Sequence, residues 1–284
     1  MAGWADHEFG GAAGSMMGEA PGPPANGTAQ ASAAQASRRG PNRHPEGVDL
    51  TDAVSLSIPA GLTTALVADA CVRLGVSIRH APRSIRPLVA GVPLVGAARP
   101  ARHAGSVDVF LEAIELSRPG DILVIDDGGR TDRACIGDLT ALEVQAAGLA
   151  GVVVWGSHRD GAELRAIGLP VYSCGTHPAG PSGIEPRRHD ALLSAQIDQV
   201  EVTSADLVIA DEDGVMFVAI SELAEIGRVA GEIATIERAQ AAAVRSGRSL
   251  REQLRFAEYL ERRRHDPLFE FRQHLRKIGG AIEE

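Results

Sequence analysis

Two apolar runs, Ile122 to Ile125 and Val152 to Trp155, have strand length. Between them, Leu139 to Ala147 has helical character, so Gly120 to Asp160 predicts a strand–helix–strand crossover with the glycine-rich stretch DGGRTDRACIGD as a turn. Polar residues fall just past each run: Asp126 and Asp127 after the first, Arg159 and Asp160 after the second. Ligands of open α/β sheets gather beyond the carboxyl ends of the strands. The pattern therefore points to Gly137–Asp138 and Arg159–Asp160 as the place for chemistry.

The same reading extends along the chain. Thr63 or Thr64 is placed to cap a helix carrying Leu66, Val67, Ala70, Cys71 and Leu74 on one face, closed by Gly75. Strand-like pieces follow over Val89 to Ala98, then a helix over Val107 to Leu116 ended by Pro119–Gly120. Gly161 to Ile167 predicts a short helix and Leu169 to Ser173 a strand, followed by a Gly/Pro-rich loop from Gly175 to Pro186. Asp206 to Ala210 and Val215 to Val218 predict paired strands around the turn DEDG. From Ser221, placed as a cap, helical periodicity runs to Gly247, and two further helical pieces span Leu250 to Arg263 and Pro267 to Lys277. The long helix packs either on a neighbouring subunit or back on its own sheet.

Alternating strands and helices favour a layered α/β fold over a bundle or β-sandwich. Residues 1–48 are rich in Ala, Gly, Pro and Ser and nearly lack large apolar groups. Ordering them would cost more entropy than burial returns, so they are expected to be a disordered tail, with order beginning near Val54. An α/β domain over 49–220 and C-terminal helices over 221–284 complete the predicted organisation.

Composition narrows the function classes. With 37 acidic against 28 basic residues the net charge is −9, which argues against nucleic-acid backbones and anionic membranes as partners. No apolar run approaches the ~20 residues that span a bilayer. Cys71, Cys135 and Cys174 are odd in number and lack CxxC spacing, as expected of reduced thiols in a cytoplasmic protein.

The glycines of the central stretch do not fit GxGxxG, and GxxxxGK[ST], HExxH and GxSxG are absent, which removes the Rossmann, P-loop, zincin and serine-hydrolase readings. HisArgAsp at 158–160 lacks the downstream Asn that a kinase loop needs. A helix amino terminus at Gly137–Asp138–Leu139 remains. Its free N–H groups can attract a carboxylate or phosphate, or Asp138 can simply cap its own helix. Arg159 and Asp160 are either a surface ion pair or a division of labour, with Asp160 on a hard cation and Arg159 on a substrate carboxylate or enolate oxygen. The DEDG cluster, Asp211 to Asp213, is acidic enough to bind a cation, but hairpin-turn chemistry explains it more economically.

The succession GDILVIDDGG, IGDL, GVVVWGSHRD, LPVYS and DLVIADEDGV, with TTALVADACVRLG before it, resembles the RraA-like family over about residues 55–245. That family includes divalent-metal-dependent 4-hydroxy-4-methyl-2-oxoglutarate / 4-carboxy-4-hydroxy-2-oxoadipate aldolases and the protein regulator of ribonuclease E. The family's common WGDN reads IGDL here. The resemblance implies a layered α/β/α sandwich resembling the swivelling phosphohistidine domain, here with a C-terminal helical extension, assembled as homotrimers or hexamers. It implies Asp160 as the direct ligand of Mg²⁺ or Mn²⁺ and Arg159 as the group that binds substrate and stabilises an enolate. Asp138, 22 positions before Asp160, would hold water beside the metal or act as base, while the backbone of Gly137 and Leu139 cradles the carboxylate. Glu237 would correspond to a family glutamate reaching a neighbouring subunit's site. The implied activity is retro-aldol cleavage of a 4-hydroxy-2-keto acid to pyruvate, with oxaloacetate decarboxylation as a side activity. A non-enzymatic regulator and another lyase or isomerase of sugar-derived keto acids are the alternatives.

Overall fold

The computed structural model describes residues 61–279; the expectations for the tail and for the start of order near Val54 lie outside them. Three strand–helix–strand crossovers form the middle of the chain. Strand β2 (Leu94–Arg102) leads through helix α2 (Asp108–Glu115) to β3 (Ile122–Ile136), then through α3 (Asp138–Ala146) to β4 (Gly151–His158), then through α4 (Gly161–Ile167) to β5 (Val171–Ser173). These four strands pair in parallel. The sheet is completed by the edge strand β1 (Arg86–Pro87) against β5 and by the antiparallel pair β8 (Asp206–Ala210) and β9 (Val215–Ala219) beside β2, giving the order β1-β5-β4-β3-β2-β8-β9.

Alternation along the strands sends side chains to two cores. Leu123, Ile125, Val152 and Val154 pack under α2, α3 and α4 with Phe110, Val144 and Leu164. Ile122, Val124 and Val153 face the other way, onto Val208, Phe217 and a separate hairpin of β6 (Ser194–Ile197) and β7 (Val200–Thr203), through Ala195, Ile197 and Val202. A third core lies between β8–β9 and two helices, α1 (Thr64–Leu74) and α5 (Leu223–Arg245), through Leu207, Ile209, Met216, Ile226 and Ile233. The molecule is thus a mixed α/β protein. A second helix layer covers β8 and β9, while the β6–β7 hairpin covers the far face of the central strands.

Several elements match the sequence reading and several correct it. Thr63 accepts from the Leu66 N–H at the start of α1, and Gly75 closes that helix in the left-handed conformation. The glycine-rich turn is instead part of β3, which runs 15 residues with register shifts after Asp126 and before Ile136. Gly128 and Gly129, at φ 69° and 70°, supply the two left-handed residues that bend it. Ser221 does not cap α5. It lies in a 3₁₀ turn (Ile220–Glu222), and no side-chain cap bond is made at Glu222. The helix predicted over Leu250–Arg263 is two, α6 (Leu250–Gln253) and α7 (Phe256–His265), broken at Arg255 with φ 50°. The break buries Leu254, whose carbonyl lies 2.8 Å from His274 Nε2 on the last helix, α8 (Phe271–Ile278). The β6–β7 hairpin was not predicted; its turn places Asp198 at φ 54°.

The DEDG turn does more than reverse the chain. Asp211 accepts from both the N–H and the hydroxyl of Thr64, each at 2.7 Å, tying the hairpin to the first turn of α1. Charge-assisted bonds to a helix N-terminus of this kind are worth about 1–2 kcal/mol. Asp211→Ala should lower unfolding stability by that amount in urea titration, with an unchanged denaturant slope.

Candidate active site

Three parallel strands end side by side and deliver the polar groups. β4 ends at His158, and the next residue, Arg159, donates its N–H to Ile136 O (3.0 Å), which locks it beside the last residue of β3. Gly137 follows Ile136 and is the N-cap of α3. Asp160 is the N-cap of α4 and adopts φ 57°, ψ 41°, a left-handed conformation that non-glycine residues rarely hold. Strained backbone of this kind concentrates at functional sites.

The four residues singled out by the sequence come together. Asp160 Oδ2 accepts from the Asp138 N–H (3.3 Å) and lies 3.4 Å from Arg159 Nε. It sits directly against the Cα of Gly137: a methyl there would collide with Oδ2 and lie 3.3 Å from both Cγ and Nε of Arg159. Gly180, in the loop after β5, leaves room for the other end of the guanidinium, where a Cβ would lie 3.1 Å from Arg159 Nη1. A cavity of about 440 Å³ opens here, lined by His103, Gly137, Asp138, Leu139 and Arg159, and Asp160 contacts three of these residues, Gly137, Asp138 and Arg159. The Arg159 side chain is 50% exposed and that of Asp160 34%. An exposed pair at this distance contributes under about 1 kcal/mol to stability, so folding alone does not account for the arrangement.

The amino end of α3 differs from expectation in one respect. The Leu139 N–H, expected to be free for an anion, donates to Asp138 Oδ1 (2.8 Å). It reaches a ligand only when that carboxylate turns away. Glu237 is exposed on α5, past the last buried residue of that helix, Ala234, and does not line the cavity of its own chain.

The structure adds a cluster that sequence reasoning left scattered. His103 follows β2 and continues its pairing by donating its N–H to Asp126 O (2.9 Å). Its Nδ1 lies 2.8 Å from Asp127 Oδ1, the same oxygen that accepts from Arg133 Nη2 (2.8 Å), and its ring stacks on Phe110 with centroids 5.1 Å apart. Burial pushes the Asp127 carboxyl up, but the bonds from His103 and Arg133 outweigh it and hold the group below its ordinary value. Asp127 Oδ2 is buried without a partner among the described residues. The neighbouring Asp126 is structural: it accepts from the N–H groups of Gly128 and Gln196, joining β3 to the hairpin. With Cys135, His103 and Asp127 bring three potential metal-ligating atoms within 4.8 Å of one another. Arg133 bonded to the shared carboxylate opposes a cation there, and burial raises the Cys135 thiol well above its usual value, away from the thiolate a metal needs. The signal available in the sequence was position: Asp127 stands just past the apolar run Ile122 to Ile125, and His103 just past β2, where the pairing of the two strands stops.

The fold and cavity define an α/β protein in which carboxylate and guanidinium groups converge at the ends of parallel strands. The profile of the family described as RraA-like: Aldolase/RraA matches residues 64–217, more than half of the sequence, and the chain belongs to that family. It is 34% identical over 105 residues to a protein of Bacillus cereus named "Putative 4-hydroxy-4-methyl-2-oxoglutarate aldolase", a match covering 37% of this chain and 65% of that one. A protein of the same name from Alkalilimnicola ehrlichii is 38% identical over 103 residues, covering 36% and 63%. The chain thus spans less than two thirds of the length of these relatives. Among solved structures, Streptomyces coelicolor RraAS2, described as an unusual member of the RNase ES inhibitor RraA protein family, superposes with a TM-score of 0.57 at 28% identity, over 70% of this chain and 98% of that one. An uncharacterized protein from Pseudomonas syringae pv. tomato shares the fold, with a TM-score of 0.61 at 24% identity over 69% and 94% of the two chains. Among the described residues no helix is long and apolar enough to cross a membrane, and all three cysteines are free.

Proposed function

We propose that this protein is a divalent-metal-dependent lyase that cleaves a 4-hydroxy-2-keto acid of the 4-hydroxy-4-methyl-2-oxoglutarate type to pyruvate. The observation that carries this reading is the meeting of the Asp160 carboxylate and the Arg159 guanidinium at the amino end of α3, on the rim of a cavity of suitable size for a small keto acid. The family relatives with the aldolase name support the reaction class.

The donor set suits a hard cation. Asp160 offers a partly exposed carboxylate, and among the described residues it belongs to no cluster of three or more His, Cys, Asp or Glu ligands. Mg²⁺ and Mn²⁺ are commonly held by one or two carboxylates, with water and substrate oxygens filling the other positions. Asp160 would hold the ion and Asp138 would orient water beside it. When bound, such an ion supplies Lewis acidity toward the oxygens of a 2-keto acid. The Arg159 fork faces the oxygen on which negative charge grows as the C3–C4 bond parts, an interaction that is strongest in the transition state. With the Asp138 carboxylate turned away from the Leu139 N–H, the amino end of α3 receives the substrate carboxylate. Oxaloacetate presents the same pyruvoyl end, so its decarboxylation is the expected side reaction.

A contiguous apolar face beside the cavity, formed by Val107, Leu111, Leu139 and Leu142, supports assembly into a homotrimer or hexamer. The same face and the likeness to RraAS2 favour one alternative, a regulator that binds a ribonuclease or another protein. Pyruvate release from a panel of 4-hydroxy-2-keto acids and oxaloacetate separates the two. The aldolase reading expects release that falls to background after chelator treatment and returns with Mg²⁺ or Mn²⁺. Silence from every substrate with metal present would leave the regulator.

A further inference from the structure

Resting on the aldolase reading, we infer that His103 is a catalytic residue, the base that takes the C4 hydroxyl proton, with Asp127 as its positioning residue. Asp127 is an ionised carboxylate bound to Arg133, so it can only accept, and the proton shared at 2.8 Å must sit on His103 Nδ1. In the neutral ring Nε2 then carries the lone pair. The stack on Phe110 and the bond to Asp127 hold the ring from two sides, and His103, its side chain 2% exposed, is a lining residue of the same cavity as Asp138 and Arg159. A nitrogen base oriented by a carboxylate that is itself anchored is the arrangement general-base catalysis requires. The buried, unpartnered Asp127 Oδ2 is costly for stability, as expected of a group kept for chemistry and not for folding.

The step balances without any further reactant. Nε2 takes the hydroxyl proton, the O–H electron pair becomes the C4 carbonyl bond, and the C3–C4 pair moves into the enolate of pyruvate, whose charge Arg159 offsets. The imidazolium then yields its proton to solvent, and the enolate takes one from water at C3. Decarboxylation of oxaloacetate reaches the same enolate but has no hydroxyl proton to remove, so it does not call on His103.

This difference is the test. His103→Asn keeps a donor toward Asp127 but removes Nε2, and His103→Gln serves as the second variant. Each should lose about 100-fold in kcat for cleavage of 4-hydroxy-4-methyl-2-oxoglutarate, the lower range for a general base. Oxaloacetate decarboxylation and inhibition by oxalate, a mimic of the enolate, should stay within about threefold of wild type. Equal loss of cleavage and of oxalate binding in both variants, or loss of the fold in both, would assign the ring a structural role and overturn the inference. Unchanged cleavage would overturn it as well. A wild-type protein that releases no pyruvate sinks the parent reading, whereas an active wild type with active variants sinks only the role of His103.

Discussion

Asp160→Ala should abolish metal-dependent pyruvate release, by at least about 1,000-fold in kcat/KM, while leaving the protein folded. Lewis-acid stabilisation of a developing oxyanion is worth several kcal/mol, and each 1.36 kcal/mol is a factor of ten. The folded state loses little, because the carboxylate is partly exposed and its neighbours are a 3.4 Å ion pair and one long N–H contact. Relief of the left-handed strain at residue 160 is not expected either, since alanine is less at ease there than aspartate. The measurement is steady-state cleavage with saturating Mg²⁺ beside a thermal melt. Turnover near wild type that still responds to chelator would show that the cation rests on other groups.

Gly137→Ala is the second large effect, and it separates space from conformation. Gly137 has φ −146°, open to any residue, so the substitution strains no backbone. The added methyl instead strikes Asp160 Oδ2 and crowds Arg159. A short carboxylate can rotate away at modest energetic cost, which displaces it from the position that the proposed chemistry needs. A misplacement of about 1 Å can cost 100-fold in rate, so kcat/KM should fall by about 100-fold while stability changes by less than about 1 kcal/mol. Retained activity would mean that the contact between Gly137 and Asp160 is incidental. A large fall in Tm with proportionate loss of activity would mean that it is structural.

Much of the architecture was written in local pattern. Uninterrupted apolar runs at β3 and β4 and the glycine-closed helix α1 were legible because burial and capping depend on neighbours within a few residues. Arg159 and Asp160 were singled out for a similar reason, as polar residues just past an apolar run, and Gly137 and Asp138 as the amino end of a predicted helix. The β6–β7 hairpin escaped notice, since its alternation over four residues a side is short and its turn uses Asp198 at positive φ in place of a glycine. The break at Arg255 escaped too, because what decides it is a contact between Leu254 and His274 on another helix.

By itself, the sequence determined that the apolar runs of β3 and β4 are buried and that Arg159 and Asp160 follow the end of β4. Only the tertiary structure decided which of these groups touch. His103 meets Asp127 because β2 and β3 pair with Arg102 opposite Asp126, and Asp160 lies against Gly137 because the Arg159 N–H binds Ile136 O. Such contacts are set by the register between strands far apart in the chain, which periodicity along any one strand does not encode.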